Sequence, residues 1–127
     1  MRPVPNPSVY RWVYEQPIAT MATTVISVME IRYGLLRLPD GRRKADLQAR
    51  FKQFMDAGFA QRVLSFDLKC AECYAAMFRS CEARGRSMEP FDCMIAAIAK
   101  THSAVLATRN VSDFELCEVD LLDPWNI

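Results

Sequence analysis

Residues 91–99 read FDCMIAAIA, apolar or small at every position except Asp92. A run of this kind asks to be buried. A lone buried charge costs on the order of several kcal/mol unless it is paired or bound to a metal. A second acid is set in the same way: Glu30 lies among Val28, Met29 and Ile31 in TTVISVMEIRYG. Any fold for this chain has to accommodate two carboxylates inside stretches that otherwise read as core.

The surrounding pattern says what kind of core. Asn6-Pro7 reads as a helix start, with Val9, Trp12 and Val13 on one face and Pro17 ending it. Residues 18–23 form a short strand candidate. Thr23 or Thr24 then caps a helix that runs to about Leu38, before Pro39. Asp40 is expected to cap an amphipathic helix with Leu47, Phe51, Phe54 and Met55 as its apolar stripe. Residues 62–66 read as a strand. Asp67 caps the next helix, which closes at Gly85, and Pro90 opens the one holding Asp92. AVLATR (104–109) and VDLL (119–122) are strand candidates separated by the loop NVSDF. Strands alternating with helices predict an α/β fold with a parallel sheet flanked by helices. The 127 residues suit one domain, 1–127, around one core.

Composition narrows the function classes. The chain is 51% hydrophobic and 24% charged with net charge +1, so contact with nucleic acid would come from local patches. No apolar run approaches the ~18 residues of a membrane span, and the N-terminus lacks the hydrophobic core of a signal peptide. Five cysteines in helix-like or apolar segments suit reduced thiols in a cytoplasm. Cys70 and Cys73 form a C-x-x-C without a second pair, and His102 is the single histidine, which argues against structural zinc. Four glycines, none in G-x-G spacing, argue against a phosphate-cradling loop and a metabolite-binding domain.

In an open parallel sheet, ligands gather at the carboxyl ends of the strands. Glu30, Asp92, and Asn110 with Asp113 all follow a strand or head a helix, and Thr108 and Ser27 add hydroxyls. Carboxylates so gathered repel one another and suit a hard divalent cation, Mg²⁺ or Mn²⁺, held between them. Each acid also has a structural reading. Asp92 near a helix start suits the helix dipole, worth ~0.3–1 kcal/mol. Glu30 suits a solvated pair with Arg32. Asp113 and Asn110 suit turn residues. Arg84 and Arg86, just ahead of the Asp92 helix, are phosphate-binding candidates or solvated loop charges. The basic run GRRKADLQAR reads first as a solvated face.

Four segments together, VISVMEIRYGLLRLPDGRRKADL, EPFDCMIAAIAKTH, AVLATRNVSDFE and LLDPW, resemble the PIN-domain ribonucleases. The nearest branch is the VapC/FitB-type toxins of type II toxin–antitoxin systems. The resemblance runs in order over nearly the whole chain. It implies a PIN-like α/β fold, Mg²⁺- or Mn²⁺-dependent cleavage of RNA, inhibition by a cognate antitoxin, operator DNA bound only through that antitoxin, and a homodimer. The family's acidic cluster maps to Glu30, Asp92, Asp113 and Asn110, the last standing where many relatives have Asp. Family chains begin with an apolar strand ending in Asp, a principal metal ligand. These residues start at MRPVPNP, so the resemblance implies a chain without that strand and that ligand. Weakened metal binding follows as an expectation, and with it a rival role: an inactive domain that only binds an antitoxin.

Overall fold

The structure, a computed structural model, describes residues 22–107, 114, 117 and 119–122. The chain divides into two compact units, Met1–Leu64 and Ser65–Ile127, each taken here by itself. The helix expected after Asn6, and most of the 18–23 strand candidate, lie outside the described residues.

The first unit contains strand β1 (Thr23–Thr24), helix α1 (Val25–Leu36), helix α2 (Arg42–Asp56), a 3-10 turn (Phe59–Arg62) and strand β2 (Val63–Leu64). β1 and β2 pair in parallel, Thr23 opposite Val63 and Thr24 opposite Leu64. Thr24 leaves the strand with extended backbone and becomes the N-cap of α1. Its Oγ1 accepts the Ser27 N–H at 3.0 Å and donates to Ser27 Oγ at 3.1 Å. Helix α1 buries Ile26 and Leu35 and ends at Arg37, two residues before Pro39.

The start of α2 corrects one expectation. Gly41, not Asp40, is the N-cap; its φ of 147° is a conformation that only glycine adopts without strain. Asp40 instead accepts from Lys44 Nζ at 3.2 Å, and the same ammonium donates to the Leu36 carbonyl at 3.2 Å, tying the end of α1 to the start of α2. The stripe of α2 is only partly covered. Leu47, Phe51 and Met55 are half-buried and Phe54 is exposed. The guanidinium of Arg32 lies 5.3 Å from the Phe51 ring centroid, so a cation helps cover that ring.

The second unit contains helix α3 (Leu68–Ala83), helix α4 (Pro90–Thr101), strand β3 (Leu106–Ala107) and strand β4 (Leu121–Leu122). β3 and β4 are again parallel, Leu106 opposite Leu121. With the parallel β1–β2 pair, this bears out the α/β reading. Asp67 caps α3 as expected. Its carboxylate accepts the Cys70 N–H at 3.0 Å, and that bond holds its pKa below the usual carboxylate range. Gly85 closes α3 at φ 72°. Arg86 N–H reaches the Cys81 carbonyl and Gly85 N–H the Glu82 carbonyl, the paired bonds of a Schellman end. The end of α4 repeats this geometry with Ser103 at φ 52°, and Ala104 N–H bonds the Ala99 carbonyl at 2.8 Å.

The core of this unit joins Met77 and Cys81 of α3 to Cys93 and Ala96 of α4, with Met88, Phe114 and Cys117. All five cysteines are free thiols. Burial pushes Cys93 up to about 12 and Cys117 to about 11, with neighbouring thiols adding to it. The sign follows directly. Both thiols are neutral when folded, and in the unfolded chain they ionise near 9.0. Stability is therefore full below pH 9 and falls as pH rises toward 11, by about 1 kcal/mol per thiol one unit above the unfolded value. Urea unfolding at pH 8 and pH 10 is expected to show this drop, and Cys93→Ser to make it shallower. An unchanged difference in Cys93→Ser would contradict the account.

Candidate functional site

Glu30 lies in the middle of α1 and is exposed. Ile26 and Leu35 are the buried residues of α1, on opposite faces, with Val28 and Ile31 half-buried; Glu30, Tyr33 and Arg37 continue the stripe that Ile26 begins and are exposed. The spacing of three and seven residues brings these three onto one helix face. Tyr33 is 62% exposed, so it is not a core aromatic, and the Arg37 guanidinium lies 5.5 Å from its ring centroid. Ser27, a candidate hydroxyl, is engaged by the Thr24 cap through both its N–H and its Oγ.

Asp92 occupies the first turn of α4 and is half-buried, not fully enclosed as its apolar neighbours suggested. Pro90 at the first helical position lacks an N–H, and Glu89 is the N-cap: its Oε2 accepts the Asp92 N–H at 2.8 Å. The backbone of Asp92 is thus held through Glu89, while its carboxylate lies where the helix dipole favours negative charge. Sequence reasoning missed Glu89. The signal was present, since an acid directly before a proline that opens a helix is set to cap it. Asp92 also lies close enough to Cys117 to help raise that thiol's pKa, against the lowering effect of Lys100.

Arg84 and Arg86 are exposed on either side of Gly85, their backbones closing α3. His102 is the exposed C-cap of α4 and its charge acts weakly on Asp67. Thr108, Asn110 and Asp113 lie outside the described residues. Among the described residues, no group of three or more His, Cys, Asp or Glu side chains is drawn together as a metal site, and no helix is long and apolar enough to cross a membrane. Glu30 and Asp92 are each hard oxygen donors, the donor type that suits Mg²⁺ or Mn²⁺.

Comparison with known proteins adds four likenesses. The family model of the PIN domain matches residues 2–119. The VapC ribonuclease Y4jK of Sinorhizobium fredii is 35% identical over 121 residues, covering 95% of this chain and 86% of that protein. Toxin FitB of Neisseria gonorrhoeae is 33% identical over 126 residues, covering 99% of this chain and 91% of that protein. A solved structure of FitAB bound to an IR36 DNA fragment superposes with a TM-score of 0.91 at 33% identity, over 99% of this chain and 88% of that one.

Proposed function

The chain belongs to the PIN-domain family, in its VapC/FitB-type toxin branch, and from that premise we propose that it is a divalent-metal-dependent endoribonuclease, the toxin of a toxin–antitoxin pair. The observation that most supports the reading is the likeness to a VapC ribonuclease across 95% of the chain. The substrate is RNA, the inhibiting partner is a cognate antitoxin, and operator DNA is reached through that antitoxin. The working form is a homodimer in the cytoplasm.

In this reading Glu30 and Asp92 are ligands of Mg²⁺ or Mn²⁺, joined by Asp113 or Asn110. The cation, when bound, neutralises charge developing on a phosphodiester and activates the water that attacks it. The protein's own residues hold and orient. Glu30 presents its carboxylate from an exposed position on α1. Glu89 fixes the α4 backbone beneath Asp92, so the Asp92 carboxylate starts from a restrained position. In this reading Arg84 and Arg86 hold RNA phosphate oxygens, for which a guanidinium fork is suited. No general base is assigned to His102.

The test is cleavage of a labelled single-stranded RNA by the purified chain in Mn²⁺. A parallel sample carries a family-like strand ending in Asp ahead of residue 1. Cleavage is expected in Mn²⁺, lost in excess EDTA and recovered on adding Mn²⁺ back. Cleavage that persists in EDTA would remove the metal from the account. If neither chain cuts while antitoxin binding is intact, the binding-only role replaces the nuclease.

A further inference from the structure

Helix α1 contains one glycine, Gly34. Gly34 stands in the helix interior, where glycine is less favourable than alanine. A Cβ built at Gly34 meets nothing within 4 Å, so no packing neighbour among the described residues requires its absence, and its φ is ordinary. A glycine at an exposed helix position leaves the backbone there open to close approach from outside.

What lies beside it identifies the visitor. Glu30, Tyr33, Gly34 and Arg37 fall within about 100° of one another around the helix axis, and all four are exposed. Tyr33 and Arg37 already form a stacked pair, ring and guanidinium 5.5 Å apart. Charge is concentrated here as well. Residues 32–44 carry five cations against the single carboxylate Asp40; beside Arg32, which lies over Phe51, and Lys44, which is paired with Asp40, Arg37, Arg42 and Arg43 keep the segment positive in a chain whose net charge is only +1. An exposed aromatic paired with arginine, on a locally basic segment, suits an unpaired base with its phosphates.

We infer that this face of α1 is a nucleotide-stacking platform. An unpaired RNA base stacks on the Tyr33–Arg37 pair, and its backbone crosses the helix at Gly34. The inference rests on the ribonuclease reading, in which Glu30 marks the cut. Tyr33 and Arg37 lie about 4.5 and 10.5 Å along the axis from Glu30, so the platform holds a nucleotide next to the scissile phosphate. Tyr33 and Arg37 are positioning residues: they fix where the strand lies and do not take part in bond breaking.

The experiment separates this from the nuclease reading by measuring binding without cleavage. In an Asp92→Asn background, binding of a fluorescent single-stranded RNA oligomer is followed by anisotropy in Mg²⁺ at fixed salt, alongside urea unfolding. Tyr33→Phe is expected to bind within about twofold of the parent, since the ring is kept. Tyr33→Leu should weaken binding about tenfold. Gly34→Ala should raise the urea midpoint and weaken RNA binding together, an opposition that a purely structural glycine does not produce. The inference is overturned if Gly34→Ala stabilises the chain and binds RNA like the parent. It is equally overturned if the parent binds no RNA, or if Tyr33→Leu spares RNA and weakens only antitoxin binding, which would make this face a protein-docking surface. Failure of cleavage in the wild-type chain, with these binding effects intact, would count against the nuclease reading alone.

Discussion

Asp92→Asn is expected to reduce RNA cleavage by about 10²–10³-fold or more while the protein stays folded. The change keeps side-chain size and removes the negative charge. It leaves the α4 cap in place, because Glu89 Oε2 takes the backbone N–H of residue 92 and not its side chain. The loss of a favourable charge in the first helical turn costs the fold about 0.3–1 kcal/mol of helix-dipole stabilisation, and the retained amide keeps side-chain hydrogen bonding available. Urea unfolding should therefore shift only slightly, against a near-complete loss of activity. A folded Asp92→Asn protein that cuts at the parent rate would end the assignment of Asp92 as a metal ligand.

The largest expected effect on stability is at Ile98. It is fully buried, on the same helix as the buried Ala96, Ala97 and Ala99. Ile98→Ala removes three carbons from a fully buried site and should leave a cavity there. A loss of about 2–5 kcal/mol follows, toward the upper end where collapse is poor. Against a total of about 5–15 kcal/mol, that is a large share of the stability of a domain this size. Leu68→Ala is the control. Leu68 is 75% exposed at the first position of α3, and its truncation should change stability by no more than about 0.5 kcal/mol. Equal urea midpoints for the two variants would show that the α4 core is not where the stability of this unit lies.

The local signals in the sequence were physical ones, and most of them carried through. Thr24 and Asp67 cap because a short side-chain oxygen on extended backbone reaches the N–H three residues on. Pro90 opens α4 because its missing N–H is no loss there, and Gly85 closes α3 because it turns left-handed without strain. Two ends were misread or unread for related reasons. Asp40 looked like a cap, but Gly41 reaches a conformation closed to other residues and moves the helix start by one. Ser103 takes the left-handed position that glycine usually fills, which composition does not announce. Strand β2 is two residues, Val63–Leu64, shorter than its 62–66 run, because pairing depends on what lies alongside.

The site was legible as residue types and only partly as environment. Glu30 and Asp92 stood out as charges in apolar company, yet Glu30 is exposed and Asp92 half-buried. Flanking residues in sequence lie on other helix faces, and which face is covered is decided by packing across the fold. The Tyr33–Arg37 pair follows from helical spacing of four, but an aromatic in an apolar run reads as core until its exposure is known.

The central claim is that Glu30 and Asp92 share a divalent cation, and a calorimetric titration with Mn²⁺ tests it without depending on activity. The full chain should bind Mn²⁺, and Glu30→Gln and Asp92→Asn should each weaken that binding at least about tenfold. The double variant should lose less than the sum of the two single losses, as expected for ligands of one ion. Mn²⁺ binding that is the same in all four proteins would contradict the claim.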